Sequence, residues 1–320
     1  MRKPLVIAAS LLCCSLAIAQ EADNGGGTEL SVVARAEYLS GDDPLGNSCL
    51  YALADGTLTE AISYSASLHL LSSSPLDLYR ATLCPGESSW LDWAYLSYES
   101  GNVEFSVGKD MLPWANYEMD EYDFDVHYPL ASSIWHNLPV YQWGARASWK
   151  PSDDMGIDFR LSSSPFSARP FSGGLSSFGF KARYEQEGAF GLMVSYNSID
   201  ESVNSRAKIL STGLQGHFGQ ARLVADFNSK IGDEDNVFVE GMSTSLSCTY
   251  TFDDSFEVVG KLCLDNYDAG NLNDDRAGVA VHWYPEENLR VHVLSAYRFG
   301  DIAREWSFCM GVTYNFNISL

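Results

Sequence analysis

Five carboxylates crowd into one stretch of eight residues: Glu118, Asp120, Glu121, Asp123 and Asp125. Trp114, Tyr117, Tyr122, Phe124, Tyr128 and Trp135 flank them. Two kinds of chemistry suit such a cluster. Oxygen ligands at close spacing could hold a calcium ion, with Asp120, Glu121, Asp123 and Asp125 as candidates. A calcium loop also needs a glycine at its turn and a distal bidentate Glu, and neither follows here. The second chemistry is electrostatic. An acidic segment set across a narrow aqueous space from cations makes a transverse field that orients polar solutes. The aromatic residues favour the second reading: a solvated loop has little use for them, whereas a loop packed on a wall needs them for anchorage.

The cations for such a wall can be placed by strand phase, because successive side chains of a strand point to opposite faces. Eleven basic residues fall on the inward phase of the predicted strands: Arg35, Arg146, Lys150, Arg160, Lys181, Arg183, Arg222, Lys261, Arg276, Arg290 and Arg298. His282 and His292 join them. The inward acids are fewer, namely Glu37, Glu104, Asp158, Asp226, Glu257 and Asp265. Arg35, Arg146, Arg160, Lys181, Lys261, Arg290 and His292 are the candidate pore-lining basic residues, and the five loop carboxylates are the candidate constriction. Any water-filled lumen is polar, so charge of some sign is expected there. The excess of bases inside so acidic a chain argues for a tuned wall.

The elements that must position these groups are short amphipathic strands. The final stretch shows the rhythm most clearly. Trp306, Phe308, Met310, Val312, Tyr314, Phe316, Ile318 and Leu320 form one apolar set, and Ser307, Cys309, Gly311, Thr313, Asn315, Asn317 and Ser319 the small polar set between them. Lipid on one side and a lumen on the other require this pattern in a transmembrane barrel. Bacterial outer-membrane barrels commonly close with such a strand, which the barrel-assembly machinery reads. Most end in Phe, and Leu320 departs from that. Arg2 and Lys3 followed by the apolar run from Leu5 to Ala19 have the order of a secretory signal peptide, with cleavage expected before Gln20.

The expectation is therefore residues 1–19 as signal peptide and residues 20–320 as a single all-β domain, a transmembrane antiparallel barrel of about sixteen strands. The long connection 111–137 is its candidate inward loop. A mean hydropathy of -0.12 fits, since each spanning strand is half polar. The strands include a hairpin of 50–54 and 58–71 turning at Asp55-Gly56, which strand parity supports. Turns alternate between short and long, and the segment from Asp200 to Arg206 belongs to the long set. With the leader removed, 18 basic residues face 42 acidic ones. That balance disfavours nucleic acid as a partner. Outer-membrane lipid and lipopolysaccharide, and small hydrophilic solutes or ions, are the expected surroundings and cargo.

Five cysteines remain after the leader. Cys49 and Cys84 fall near predicted loops and are the candidate disulfide; Cys248, Cys263 and Cys309 sit within strands. No metal-ligand spacing links them, so no metal or cofactor is expected. Of six histidines, His69, His127, His136 and His217 are scattered, and His282 and His292 lie on adjacent strands facing inward without an identifiable nucleophile, which argues against an enzyme. The alternatives to a porin are a non-conducting barrel used for surface binding or adhesion, and a barrel hydrolase.

Three segments carry a family resemblance: Trp93-Ala-Tyr-Leu-Ser-Tyr98, Val107-Gly-Lys-Asp-Met-Leu-Pro-Trp114 and Pro139-Val-Tyr-Gln-Trp-Gly-Ala145. Together they resemble the central region of the phosphate-selective porin O/P-like family, especially its relatives from Bacteroidetes-type bacteria. The resemblance covers roughly residues 90–150. It implies a sixteen-stranded passive channel, often a homotrimer. Asp110 stands where that family commonly has a polar amide and Ala115 where it has Gly. Phosphate selectivity does not transfer with the label, because here only the lumen phase, not the loop, offers a basic ladder.

Overall fold

The computed structural model describes residues 27–41, 45, 48–72, 91–122, 124–137, 140–167, 169–231, 241–267 and 272–319. The expected signal peptide, Cys84 and Asp123 lie outside the described residues. Sixteen strands follow one another: β1 (Thr28–Leu39), β2 (Cys49–Thr59), β3 (Ile62–Ser72), β4 (Leu91–Ser100), β5 (Val103–Met111), β6 (Tyr141–Ser152), β7 (Met155–Ser163) and β8 (Ser176–Gln186) make the first half. The second half is β9 (Phe190–Ser202), β10 (Ser205–Phe218), β11 (Ala221–Lys230), β12 (Met242–Asp253), β13 (Phe256–Tyr267), β14 (Arg276–Glu286), β15 (Leu289–Arg298) and β16 (Glu305–Ser319). A two-residue strand, Leu272–Asn273, pairs only with the end of β13.

Every strand runs antiparallel to the next, and β16 returns to β1 from Glu29↔Ser319 to Leu39↔Cys309. The sheet is thus a closed barrel, with no edge strand left open.

The two-residue rhythm decides which face is which. On β16, Trp306, Phe308, Met310, Phe316 and Ile318 are exposed on the outside, while Cys309 and Thr313 are buried inside. Phe105, Val107, Phe159, Leu161, Phe180, Val279 and Trp283 continue the apolar exterior around the barrel. So large an exposed apolar surface is untenable in water and matches a bilayer. On β1, Tyr38 points out while Arg35 and Glu37 are buried inside, as the phase predicts.

Two boundaries differ from the sequence reading. Strand β2 runs on through Asp55-Gly56, whose partners on β3 are Ser65 and Tyr64, and the reversal comes at Glu60-Ala61. Asp-Gly is a good turn pair only where the flanking strands end, and here the ladder continues past it. The segment 200–206 is not a long loop: β9 and β10 stay paired up to Ser202↔Ser205, leaving Val203-Asn204 as the turn. Elsewhere the alternation holds, with two-residue turns at Gly101-Asn102 and Asp153-Asp154 and long connections at the opposite end.

Candidate functional site

The connection from β5 to β6 lies inside the barrel. Its neck is tied by the Leu112 N–H, which donates to the Val140 carbonyl at 2.8 Å. Within it are a 3₁₀ turn at Tyr128–Leu130 and one short helix, α1 (Ser133–Asn137). Its first leg runs along β8 to β11. Asn197 donates to the Pro113 carbonyl at 3.1 Å, and the Ala115 N–H donates to Ser195 Oγ at 2.9 Å. Tyr117 and Glu118 give their backbone N–H groups to the two oxygens of Asp226, at 2.9 and 3.1 Å. The last leg lies on β13 and β14, where the Ser133 N–H donates to Asp265 at 2.9 Å and Arg276 donates to the Ala131 carbonyl. Strand carboxylates that phase analysis assigns to the lumen thus serve as acceptors for loop backbone, which a loop lacking its own ladder requires.

Apolar sockets in the wall hold the loop. Leu112, Trp114, Met119, Val126, Ile134 and Trp135 form a buried core with Ile199, Ala207 and Ile209 of β9 and β10. Phe124 packs on Val33, Tyr51 and Leu53 of β1 and β2, and Leu130 on Ala280, Leu294, Ala296 and Cys309 of β14 to β16. Burying a Leu or Ile side chain is worth about 1.5–3 kcal/mol, whereas a buried ion pair roughly breaks even after desolvation. The apolar contacts therefore supply the holding energy, and the charged ones fix position. Wall glycines make room: a Cβ at Gly191 would stand 2.2 Å from Tyr117 Oη, and one at Gly278 would stand 2.8 Å from Leu130 Cδ2.

The loop acids do meet the basic wall, but in contact rather than across a gap. Lys261 donates to Glu118, which also accepts from the Ser132 N–H and hydroxyl. Asp120 pairs with Lys181 at 3.2 Å and Asp125 with Arg290 at 2.7 Å. The other named bases are likewise engaged. Arg35 binds Glu37 and gives hydrogen bonds to the Phe124 and Val126 carbonyls at 3.1 and 2.9 Å. Arg146 joins Glu104 at 2.7 Å and Asp110 at 3.0 Å, Arg160 shares Asp110, and His292 meets Glu37 at 2.7 Å. Glu118, Asp120 and Asp125 of the loop thus each stand in an ion pair with the wall. Glu121 is the exception, exposed in the lumen with no ion pair among the described residues. Enclosure by the barrel raises the Asp120 and Glu121 carboxyls above the ordinary range, with Lys181 and Lys261 respectively opposing that rise.

Among the described residues the calcium candidates form no common site. Asp120 reaches β8 and Asp125 reaches β15, far around the wall from each other, so these carboxylates do not converge on one centre. Cys49 is buried in β2, with its proposed partner Cys84 not described. Cys248 is a free thiol on the exposed face, and Cys263 and Cys309 are free and buried on the inner face.

One group went unread in the sequence. His127, on the loop, lies against two wall histidines, with ring centroids 5.0 Å from His282 and 5.1 Å from His292. No strand phase applies to a loop residue, so its orientation left no trace. The apolar sockets did leave one: β15 reads Val291-His-Val-Leu, apolar on both phases, which a purely wet inner face would not need.

No family model matches the chain, and no curated protein matches it. Among solved structures it is similar to a loop-deletion mutant of OmpT, an outer membrane protein of Vibrio cholerae, with 12% identity over 92% of this chain and 100% of that chain and a TM-score of 0.63. A mutant of the Rh. blastica porin gives 12% identity over 91% and 99%, with a TM-score of 0.61. An anion-selective porin from Comamonas acidovorans gives 11% identity over 91% and 99%, with a TM-score of 0.63. At such identities the likeness is one of fold: this chain has the closed sixteen-stranded barrel of porins.

Proposed function

We propose that this chain is an outer-membrane porin passing small hydrophilic solutes and ions, narrowed by its inward loop and preferring cations. The observation that carries the reading is the pairing just described. The named wall bases are each neutralised by a carboxylate, and Glu121 remains as an unpaired charge on the loop's lumen side. A narrow low-dielectric passage beside a fixed negative charge favours cations. Phosphate selectivity is not part of this reading, because the ladder that would supply it is paired with carboxylates of the loop and of the wall itself. Outer-membrane lipid and lipopolysaccharide surround the barrel, the closing strand β16 is the address for the assembly machinery, and homotrimers follow from the resemblance over residues 90–150.

The loop's buried core favours one alternative, a barrel that conducts nothing and serves as a binding surface. Planar-bilayer recording separates them. The porin reading expects steady single-channel current and a reversal potential of cation sign in a salt gradient. Absence of current would support the closed barrel, and an anion-sign reversal potential would overturn the charge argument.

A further inference from the structure

The loop's middle segment meets the wall at a cluster of three imidazoles. His127 Nε2 stands 2.6 Å from His282 Nε2, and His282 Nδ1 stands 2.9 Å from Glu257. His282 and His292 are directly opposed on β14 and β15, and His292 Nε2 stands 2.7 Å from Glu37. His127, His282 and His292 are all buried. The Nδ1 atoms of His127 and His292 have no hydrogen-bond partner.

We propose that the His127–His282 contact is a proton-operated latch, which holds the loop's middle segment on the wall at neutral pH and releases it in acid. The proposal rests on the porin reading only for its effect on current. Two facing ring nitrogens so close can share one hydrogen bond and no more. With both rings neutral, His282 donates from Nδ1 to Glu257 and accepts at Nε2 from the His127 Nε2–H. One proton taken from solvent at His127 Nδ1 leaves that single bridging hydrogen bond intact, with His127 Nε2 still the donor. A second proton leaves two N–H groups pointing at each other, on two cations in contact, and no acceptor between them.

The surrounding charges make that second proton costly while the latch is closed. Arg35 and Glu37 of β1, Glu257 of β13, Tyr284 of β14, Arg290 and His292 of β15 and the loop's own Asp125 face the pair. Glu37 is already taken by Arg35 and His292, and Asp125 by Arg290, so neither is free to compensate a charged His127. Burial first, then Arg35, holds His127 well below the ordinary imidazole range. A released loop would put His127 in water near its ordinary value of about 6.5. The open form therefore binds more protons than the closed one. Below that value, acid favours opening by as much as tenfold per pH unit until the closed-state value is reached.

The test pairs two measurements on the full-length protein in detergent and in bilayers. Amide hydrogen exchange of peptides covering residues 124–132, corrected for the intrinsic pH dependence, needs no conduction. Protection should fall about tenfold per pH unit in the acid range. His127→Gln, which keeps a hydrogen bond but takes no proton, should flatten that dependence while the loop stays protected at neutral pH; His282→Gln, which leaves His127 buried beside Arg35, should keep most of it. Single-channel current should rise over the same pH range in the unaltered protein and not in His127→Gln. Loss of protection with the same pH profile in His127→Gln would overturn the latch and assign the effect to carboxylates. Protection unchanged in acid in the unaltered protein would overturn it too. A correct exchange result without current at any pH would keep the latch and sink only the porin reading.

Discussion

Glu118 is the residue whose loss should tell most about how the loop is held. Its side chain is 2% exposed and accepts from Lys261, whose side chain is 12% exposed. It also accepts from the Ser132 N–H at 2.9 Å. Replacement by Gln leaves an oxygen for Ser132 but strands the ammonium of Lys261 in a confined site. Removing one partner of a buried pair costs about 3–5 kcal/mol, or roughly 150- to 4,000-fold in the population of the opened loop. The Ser132 amide is the reporter, since it is protected by the carboxylate itself, and its exchange rate in Glu118→Gln should rise by that factor. Adding Lys261→Met removes the stranded charge and restores apolar contact, so the double variant should recover most of the loss. Such recovery is a coupling energy of the sign expected for neighbours in contact. A single variant that costs under about 1 kcal/mol, as exposed pairs do, would refute the buried-pair reasoning. So would a double variant worse than the single.

Three further outcomes follow from the same geometry. Glu121→Gln should shift the reversal potential toward anions with little change in conductance; the unaltered protein should lose cation preference as pH falls, beginning above the ordinary carboxylate range because enclosure raises that carboxyl. Gly213→Leu should displace the loop's first leg, since a Cβ there already stands 3.0 Å from Tyr117 and 3.2 Å from the Ala115 carbonyl, and limited proteolysis between Tyr117 and Tyr128 should report it. Phe159→Arg, on the exposed outer face of β7, should lower stability in bilayers by roughly 2–4 kcal/mol if that residue lies near the midplane. Folding titrations in urea would measure it.

The barrel was legible because its determinant is local. Each strand must divide its residues between lipid and lumen every second position, and β16 or β6 shows that division without reference to any other segment. Parity then settled the doubtful hairpin correctly even though its turn was misplaced, because strand number depends on which side the chain ends and not on where one turn falls. The position of that turn depends on β3, whose Ser65 and Tyr64 extend the ladder past Asp55-Gly56. Val203-Asn204 shows the converse: polar residues from Asp200 to Arg206 read as loop, yet Asp200 is held by Arg206 and by the Ser176 N–H, which keeps the hairpin paired to its tip.

Phase places the bases on the inner wall without showing what they touch, and the reason is physical. Counting inward charges treats the wall as facing water, so bases in excess imply an attractive surface for anions. Once a segment of the same chain occupies that space, each wall base is judged by what it touches. Lys261, Lys181 and Arg290 then become ties for Glu118, Asp120 and Asp125. The aromatic density of the loop was the readable sign that it enters. The sockets that receive it, Ile199 and Ile209 on one side and Leu294 with Ala296 on the other, lie on the phase assigned to water. An apolar residue on the wet phase of a barrel strand thus has a specific meaning: something folded rests against it, and the charges beside it belong to that contact before they belong to the pore.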